Sequence, residues 1–363
     1  MILTLVLILG LLTGGASGQE DAGQDVLKVS VEEVRIPVAA YDAGGRFDPT
    51  LSIDDLLVRE DGEPQRVTGV YRVPAHVLLL ADTGGEANPL KTARLTGDVA
   101  AGLVSALRRG DRVALMQASN RAELIQGWSG DLPGVAHIAR TKLLSGRRIA
   151  LAEGLARASE YLGQTPPGNR HLVIISDGLD SGGGASFFED ALRKVAVSGV
   201  TVHVISYTSL GLKAKRPTAT RPREKNSMPE EGIMSLPKDD ASPADAVPNM
   251  RGTMEAKGGG VVDLDRLFSR GGKLKKELAR REAEFGELTE ETGGGLWLPT
   301  TPGEMLRQAA SVARDIDSSY IVTYKPNRPL ADAKPNEYRK LDVLARRQGL
   351  TVRTRRGYVV RLP

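Results

Sequence analysis

Two short apolar runs, each ending on an aspartate, constrain this chain more than anything else in it. The first is His76-Val-Leu-Leu-Leu-Ala-Asp82, followed by Thr83-Gly84-Gly85-Glu86. The second is His171-Leu-Val-Ile-Ile-Ser-Asp177, followed by Gly178. Short apolar runs bounded by Gly and Asp read as strands buried on both faces, the kind that build parallel sheets. Open α/β sheets bind ligands just beyond the carboxyl ends of such strands. Both aspartates therefore fall where a sheet of this kind carries its site.

The stretch around them alternates strand and helix. After Pro74 comes the first run, then a helical pattern over residues 90–109 with Leu95, Val99, Leu103 and Leu107 on one face. Strand patterns follow at 112–118 and 122–128, helical ones at 132–144 and 150–162. The second run, a helix at 187–197 and a strand at 201–207 complete the series. This order predicts a doubly wound, mostly parallel α/β sheet over residues 74–318. A charged amphipathic helix over 274–292 ends at Gly293-Gly-Gly295, as helices end at Gly. A short strand at 296–298 and a helix at 302–316 follow. Trp128 and Trp297 read as packing residues.

The two ends of the chain read as β structure. Residues 26–73 hold a strand before the turn Asp42-Ala-Gly-Gly45, which favours a hairpin, and strands on either side of Glu60-Asp-Gly-Glu-Pro64. Ser52-Ile-Asp-Asp55 can open a short helix. Residues 319–363 hold strand patterns at 320–324, 341–344, 351–353 and 356–360. The end segments are expected to pair as one module flanking the α/β domain.

Residues 2–12 are an uncharged apolar run, too short to span a bilayer, followed by small residues and the cleavage pattern Ala16-Ser17-Gly18. The expectation is a signal peptide over 1–18, a polar linker over 19–25, and a secreted or periplasmic protein without a membrane span. The chain has no cysteine, so no disulfide framework supports it after export. Residues 210–260, rich in Pro, Lys, Arg, Ser and Asp with little apolar periodicity, read as a disordered insertion. The net charge of +4 and 4% aromatic content do not suggest nucleic-acid binding.

Taken in order, these segments resemble the von Willebrand factor A domains, and more narrowly the secreted bacterial proteins, best known from Acidobacteria, that carry a related domain. The resemblance rests on the strand, Gly turn and Asp55-Leu-Leu-Val-Arg-Glu-Asp-Gly-Glu-Pro-Gln65 near the start. It rests also on Glu290-Glu-Thr-Gly-Gly294 before a strand, and on Ser319-Tyr-Ile-Val-Thr-Tyr-Lys-Pro326 with Arg355-Arg-Gly-Tyr358 near the end. It implies a protein-interaction module rather than an enzyme. Metal-binding members carry a metal-ion-dependent adhesion site: Asp-x-Ser-x-Ser after the first core strand, a Thr from a middle loop, and a later Asp. A hard divalent ion takes about six oxygens, one of which a partner's carboxylate can supply.

This chain keeps only part of that set. Asp82 and Asp177 match the two aspartates, the serines fall on Gly84 and Glu86, and the middle-loop Thr falls on or near Ile149. Gly84 and Ile149 have no side-chain oxygen, so the site is expected to be degenerate. Thr83 and Ser145 are nearby hydroxyls, and Arg147 and Arg148 could neutralise the carboxylates directly. The resemblance therefore implies partner recognition by top loops carrying Asp82, Thr83, Gly84, Glu86, Ile149 and Asp177, with no cofactor. The alternative is a divalent cation (Mg²⁺, Ca²⁺ or Mn²⁺) held by Asp82, Glu86 and Asp177. Asp82 can equally cap the following segment through backbone N–H groups, and Asp177-Gly178 can equally form a turn.

A distant enzyme reading remains. Asp82-Thr83-Gly84 resembles the active-site turn of aspartic proteases, whose chemistry needs two carboxylates sharing a proton. Asp177-Gly178 does not repeat the turn, and the helical segments do not suit an all-β protease. His76, His137, His171 and His203 sit in apolar patterns and read as core or surface residues.

Overall fold

The computed structural model describes residues 33–85, 91–182, 184–213 and 264–360. The N-terminal apolar run, the cleavage pattern, the linker, Glu86 and residues 214–263 of and beyond the proposed insertion lie outside the described residues.

The chain begins with three strands, β1 (Val34–Tyr41), β2 (Leu56–Glu60) and β3 (Glu63–Tyr71). A short 3-10 turn over Ile53–Asp55 precedes β2, with Ser52 and Asp55 forming its capping box. Then follow β4 (His76–Asp82), α1 (Ala93–Ser105), β5 (Arg112–Ala118), β6 (Ala122–Ser129), α2 (Leu132–Lys142), α3 (Leu151–Gly163) and β7 (Arg170–Ser176). Next are α4 (Gly184–Ala196), β8 (Thr201–Ser206), α5 (Thr208–Lys213), α6 (Leu264–Thr292), β9 (Leu296–Trp297) and α7 (Pro302–Asp317). The chain closes with β10 (Ser319–Lys325), β11 (Tyr338–Ala345), β12 (Thr351–Thr354) and β13 (Gly357–Val359).

Six strands form the central sheet in the order β6-β5-β4-β7-β8-β9. All neighbours pair in parallel except β6, which runs antiparallel to β5 at one edge. This is a doubly wound α/β sheet, with the reversal of strand order falling between β4 and β7. Val77, Leu79 and Ala81 of β4 face a core filled by α1, α2 and α7. Leu78 and Leu80 face the opposite core, with side chains from α3, α4 and α6. A strand covered on both faces must be apolar throughout, which explains the uninterrupted runs in the sequence.

The other strands form a seven-stranded antiparallel sheet ordered β12-β1-β10-β3-β2-β11-β13. Strands from the two ends of the chain thus interleave. Its core contains Val34, Ile36, Val38, Val58, Val322, Tyr324, Leu341 and Val343. Below it lies a buried polar knot. Arg339 Nη1 donates to Glu60 Oε1 at 2.8 Å, while the hydroxyls of Tyr324 and Tyr358 donate to Glu60 Oε2 at 2.6 and 2.8 Å. Arg339 also donates to the carbonyls of Arg328 and Pro329, so this buried ion pair is well satisfied.

One local expectation fails. The Asp42–Gly45 turn does not make a hairpin beyond a single bridge between Tyr41 and Phe47. β1 instead pairs with β10 and β12. Those long-range partners bury Val34, Ile36 and Val38 in one core, which a local ribbon could not do. The Asp61-Gly62 turn does join β2 to β3, with φ of 50° and 89°. Positive φ at both central residues suits a two-residue hairpin turn. No helix among the described residues is long and apolar enough to cross a membrane.

Candidate functional site

β4 and β7 are adjacent and parallel, with Ala81 opposite Ile175. Their register brings Asp82, Ser176 and Asp177 together at the top of the sheet, at the switch in strand order. All three are fully buried. Asp82 Oδ2 accepts from Ser176 Oγ at 2.6 Å, and Asp82 Oδ1 accepts from the Gly84 N–H at 3.1 Å. Ser176 Oγ accepts from the Gly178 N–H, and Asp177 Oδ1 from the Leu179 N–H. Gly178 has φ of +78° and packs directly on Arg281 and Phe285 of α6, so no side chain would fit there.

The cation between the two aspartates is Lys91. Its Nζ lies 3.0 Å from Asp82 Oδ2 and 2.9 Å from Asp177 Oδ1, and its side chain is buried. Lys91 stands just before Thr92, whose hydroxyl caps α1 by accepting from the Leu95 N–H. Burial opposes the ammonium charge, but the two carboxylates outweigh it and hold the Lys91 pKa above its ordinary value. Burial pushes the Asp82 carboxyl up to about 6, against the pull of Lys91, so it is ionised at neutral pH. Asp177 Oδ2 is buried and has no hydrogen-bond partner among the described residues.

A loop packs against the turn that follows Asp82. The Gly146 N–H donates to the Thr83 carbonyl, the Gly85 N–H donates to the Gly146 carbonyl, and Gly84 and Gly146 form a parallel bridge. Thr83 Oγ1 donates to the Leu144 carbonyl at 2.8 Å, and Gln117 Nε2 donates to that same pair of oxygens. Asn120 Oδ1 accepts from the N–H groups of both Arg147 and Arg148. A Cβ on Gly84 would lie 2.0 Å from the Arg148 carbonyl oxygen, and one on Gly85 would strike Ile149.

Asp82 and Asp177 do come together, but as a buried pair. Thr83, Gly84 and Ile149 are close by and serve the seal: the Thr83 hydroxyl is committed to the loop, Gly84 admits the Arg148 backbone, and Ile149 is a buried lid residue. In this arrangement Asp82, Thr83 and Asp177 are buried, and Ile149, though buried, lines a surface cleft beside Arg148. Arg147 and Arg148 do not neutralise the carboxylates. They are exposed, and Lys91 takes that role. Ser145 is also exposed. Glu86, the remaining proposed ligand, lies outside the described residues.

The donor set does not fit a divalent ion in the family's manner. Positions 84 and 149 offer no side-chain oxygen, backbone fills the space beside Gly84, and an ammonium sits between the carboxylates. No group of three or more His, Cys, Asp or Glu suited to a metal occurs among the described residues. The protease geometry does not fit either, because Lys91, not a shared proton, joins the carboxylates under a closed lid.

The sealing loop nevertheless presents a distinct surface. Leu144 is 70% exposed, and Lys142, Arg147 and Arg148 around it are exposed without an ion-pair partner among the described residues. Beside it is a cleft of about 440 Å³ lined by Asn120, Arg148, Ile149, Glu153, Asp180 and Phe187. Phe187 is itself 46% exposed.

No protein-family model matches this chain, and no curated protein is similar to it in sequence. Several solved structures are similar in layout. The von Willebrand factor type A protein from Catenulispora acidiphila is 8% identical, with a TM-score of 0.42, over 91% of this chain and 74% of that one. BatB from Bacteroides thetaiotaomicron is 19% identical, with a TM-score of 0.31, over 36% of this chain. The match spans 66% of BatB, just under two thirds of its length. The manganese-loaded TRAP protein of Plasmodium vivax is 13% identical, with a TM-score of 0.34, over 42% of this chain and 60% of that one. Likenesses this low transfer no function, and the doubly wound α/β fold stands on the chain's own strand order.

Proposed function

We propose that this chain is an exported, non-enzymatic protein-interaction module whose top edge works without a bridging metal ion. The supporting observation is the buried carboxylate pair: Lys91 bridges both carboxylates from within the chain, and the loop paired with residues 83–85 carries the exposed Leu144, Arg147 and Arg148. An exposed apolar side chain flanked by unpaired cations on a hydrogen-bonded loop is preorganised for contact, so little ordering cost opposes binding. The narrower likeness to secreted bacterial proteins and the export pattern at the N-terminus belong to the same proposal. The metal-dependent alternative rests on Glu86, Asp82 and Asp177, and Lys91 between the two aspartates weighs against it.

The test is co-purification from the exported fraction of the source cell, with EDTA present. Wild type is compared with the triple variant Leu144→Asp, Arg147→Glu, Arg148→Glu. Surface changes of this kind alter stability by about 0.5 kcal/mol or less each, so folding is preserved. The expected result is a defined protein recovered by wild type in EDTA and lost with the triple variant. Equal recovery by both, or recovery that requires a divalent ion, defeats the reading.

A further inference from the structure

We infer that the Lys91 ammonium is the resident cation of the top-edge carboxylate pair: a counter-ion built into the chain, which excludes a divalent ion while present and leaves an ion-binding site when removed. The inference deepens the proposed metal-independent reading of this edge, but its test involves no partner.

Three observations carry it. The first is geometry. Nζ stands 3.0 and 2.9 Å from one oxygen of each aspartate, close to the range of charge-assisted hydrogen bonds, and the lysine side chain is almost wholly buried. A surface lysine that happened to approach one carboxylate would not bridge two strands at their shared end.

The second is position. Lys91 lies next to the amino end of α1, where the helix dipole disfavours a cation. Burial disfavours it further. Both costs are offset by the two carboxylates that face it.

The third is what surrounds it. Asp82 Oδ2, Asp177 Oδ1 and Ser176 Oγ converge here, and Asp177 Oδ2 is fully buried and unpartnered among the described residues. An ammonium offers three donors and needs no octahedron. A Mg²⁺ or Mn²⁺ ion wants about six oxygens, some of which can be water. With Lys91 in place, its side chain fills the volume those waters need. With Lys91 shortened, the oxygens remain and the volume opens.

The experiment measures thermal unfolding and Mn²⁺ binding of wild type, Lys91→Ala and Lys91→Met. Wild type is expected to unfold at the same midpoint in EDTA and in millimolar Mn²⁺, Mg²⁺ or Ca²⁺. Each variant leaves two buried carboxylates uncompensated, so its midpoint in EDTA falls by about 5–15 °C. Lys91→Ala then recovers with Mn²⁺ and binds it, whereas Lys91→Met does not, because its side chain still occupies the volume.

Any of four results overturns the inference. Mn²⁺ raises the wild-type midpoint, or Lys91→Met is as stable as wild type. Alternatively no ion rescues Lys91→Ala, or the intact mass of wild type is short by one water, showing an amide bond in place of the ion pair. If neither single variant folds, the neutralised triple variant Asp82→Asn, Lys91→Met, Asp177→Asn decides. Cooperative unfolding of that triple supports a role in charge compensation. Its failure to fold would mean that the loss does not come from uncompensated charge, and the inference falls.

Discussion

At the scale of single residues, Gly84 lets the Arg148 backbone pack against the end of β4. The Arg148 carbonyl sits where a side chain at 84 would begin, at 2.0 Å from an added Cβ. Gly84→Ser restores the residue type of the family pattern, yet the backbone leaves no room for it. The variant is therefore expected to lose about 2–3 kcal/mol, the cost of forcing atoms into a packed site, and to gain no affinity for Mn²⁺. Urea unfolding midpoints and an Mn²⁺ titration check both halves. An unchanged midpoint would show that the sealing loop moves aside freely. The departure at Gly84 and Ile149 was legible in the sequence, because a missing oxygen is visible as a residue type. Lys91 was not legible. A lysine ahead of a capping threonine ordinarily reads as solvated, and only the fold brings its ammonium to Asp177, 86 residues away in sequence.

At the scale of elements, periodicity located strands and helices well, since burial on both faces leaves an unbroken apolar run and burial on one face leaves a helical stripe. Pairing was less legible. That the two ends pair was legible, but not the strand order, and the local Asp42–Gly45 turn pointed to a hairpin that forms only as one bridge. The junction of α6 and β9 is the reverse case, where Gly293-Gly-Gly295 marked the break correctly. Gly293 adopts φ of +75°, and a Cβ on Gly294 would lie 1.7 Å from the Val202 carbonyl oxygen. That closeness lets the Val204 N–H reach the Gly295 carbonyl at 2.9 Å and lets β9 join β8. Gly294→Ala is expected to push β9 off the sheet, costing about 2–3 kcal/mol. Amide exchange at Val204 should quicken in the variant, while that at Leu79 in β4 changes only as far as global stability does. Unchanged protection at Val204 would show that the strand accommodates the methyl group.

At the scale of the whole molecule, a polar chain threads from the α/β sheet through α7 to the antiparallel sheet. Asn169 donates to the Val73 carbonyl, which turns its Oδ1 toward His171 Nε2 at 2.7 Å. His171 Nδ1 lies 3.0 Å from His203 Nε2, and His203 Nδ1 lies 3.2 Å from Asp315 Oδ2. Burial foremost, with the neighbouring His203, holds the His171 pKa well below its ordinary value. Asp315 on α7 also accepts from Tyr41 of β1 and from Arg353 of β12, tying the sheets together. Burial alone would raise the Asp315 pKa, but His203, Arg353 and Tyr41 outweigh it and hold the carboxyl well below the usual range. None of this was legible from local sequence, where each histidine looked like an isolated core residue. Asp315→Asn removes the charge and keeps the shape. Near neutral pH the variant is expected to be about 3 kcal/mol less stable than wild type, because it removes the buried carboxylate that Arg353 and Tyr41 donate to. A carboxyl with a depressed folded pKa gives stability that is present above its unfolded pKa, near 3.9, and is lost as the pH falls toward the folded value. The stability gap between wild type and Asp315→Asn should therefore stay level down to about pH 4 and then close by up to about 1.4 kcal/mol per pH unit. Urea unfolding of both proteins at neutral pH, about pH 5 and about pH 3 measures it. A gap that stays constant into the acid range would mean that Asp315 is not the ionised link between the two sheets.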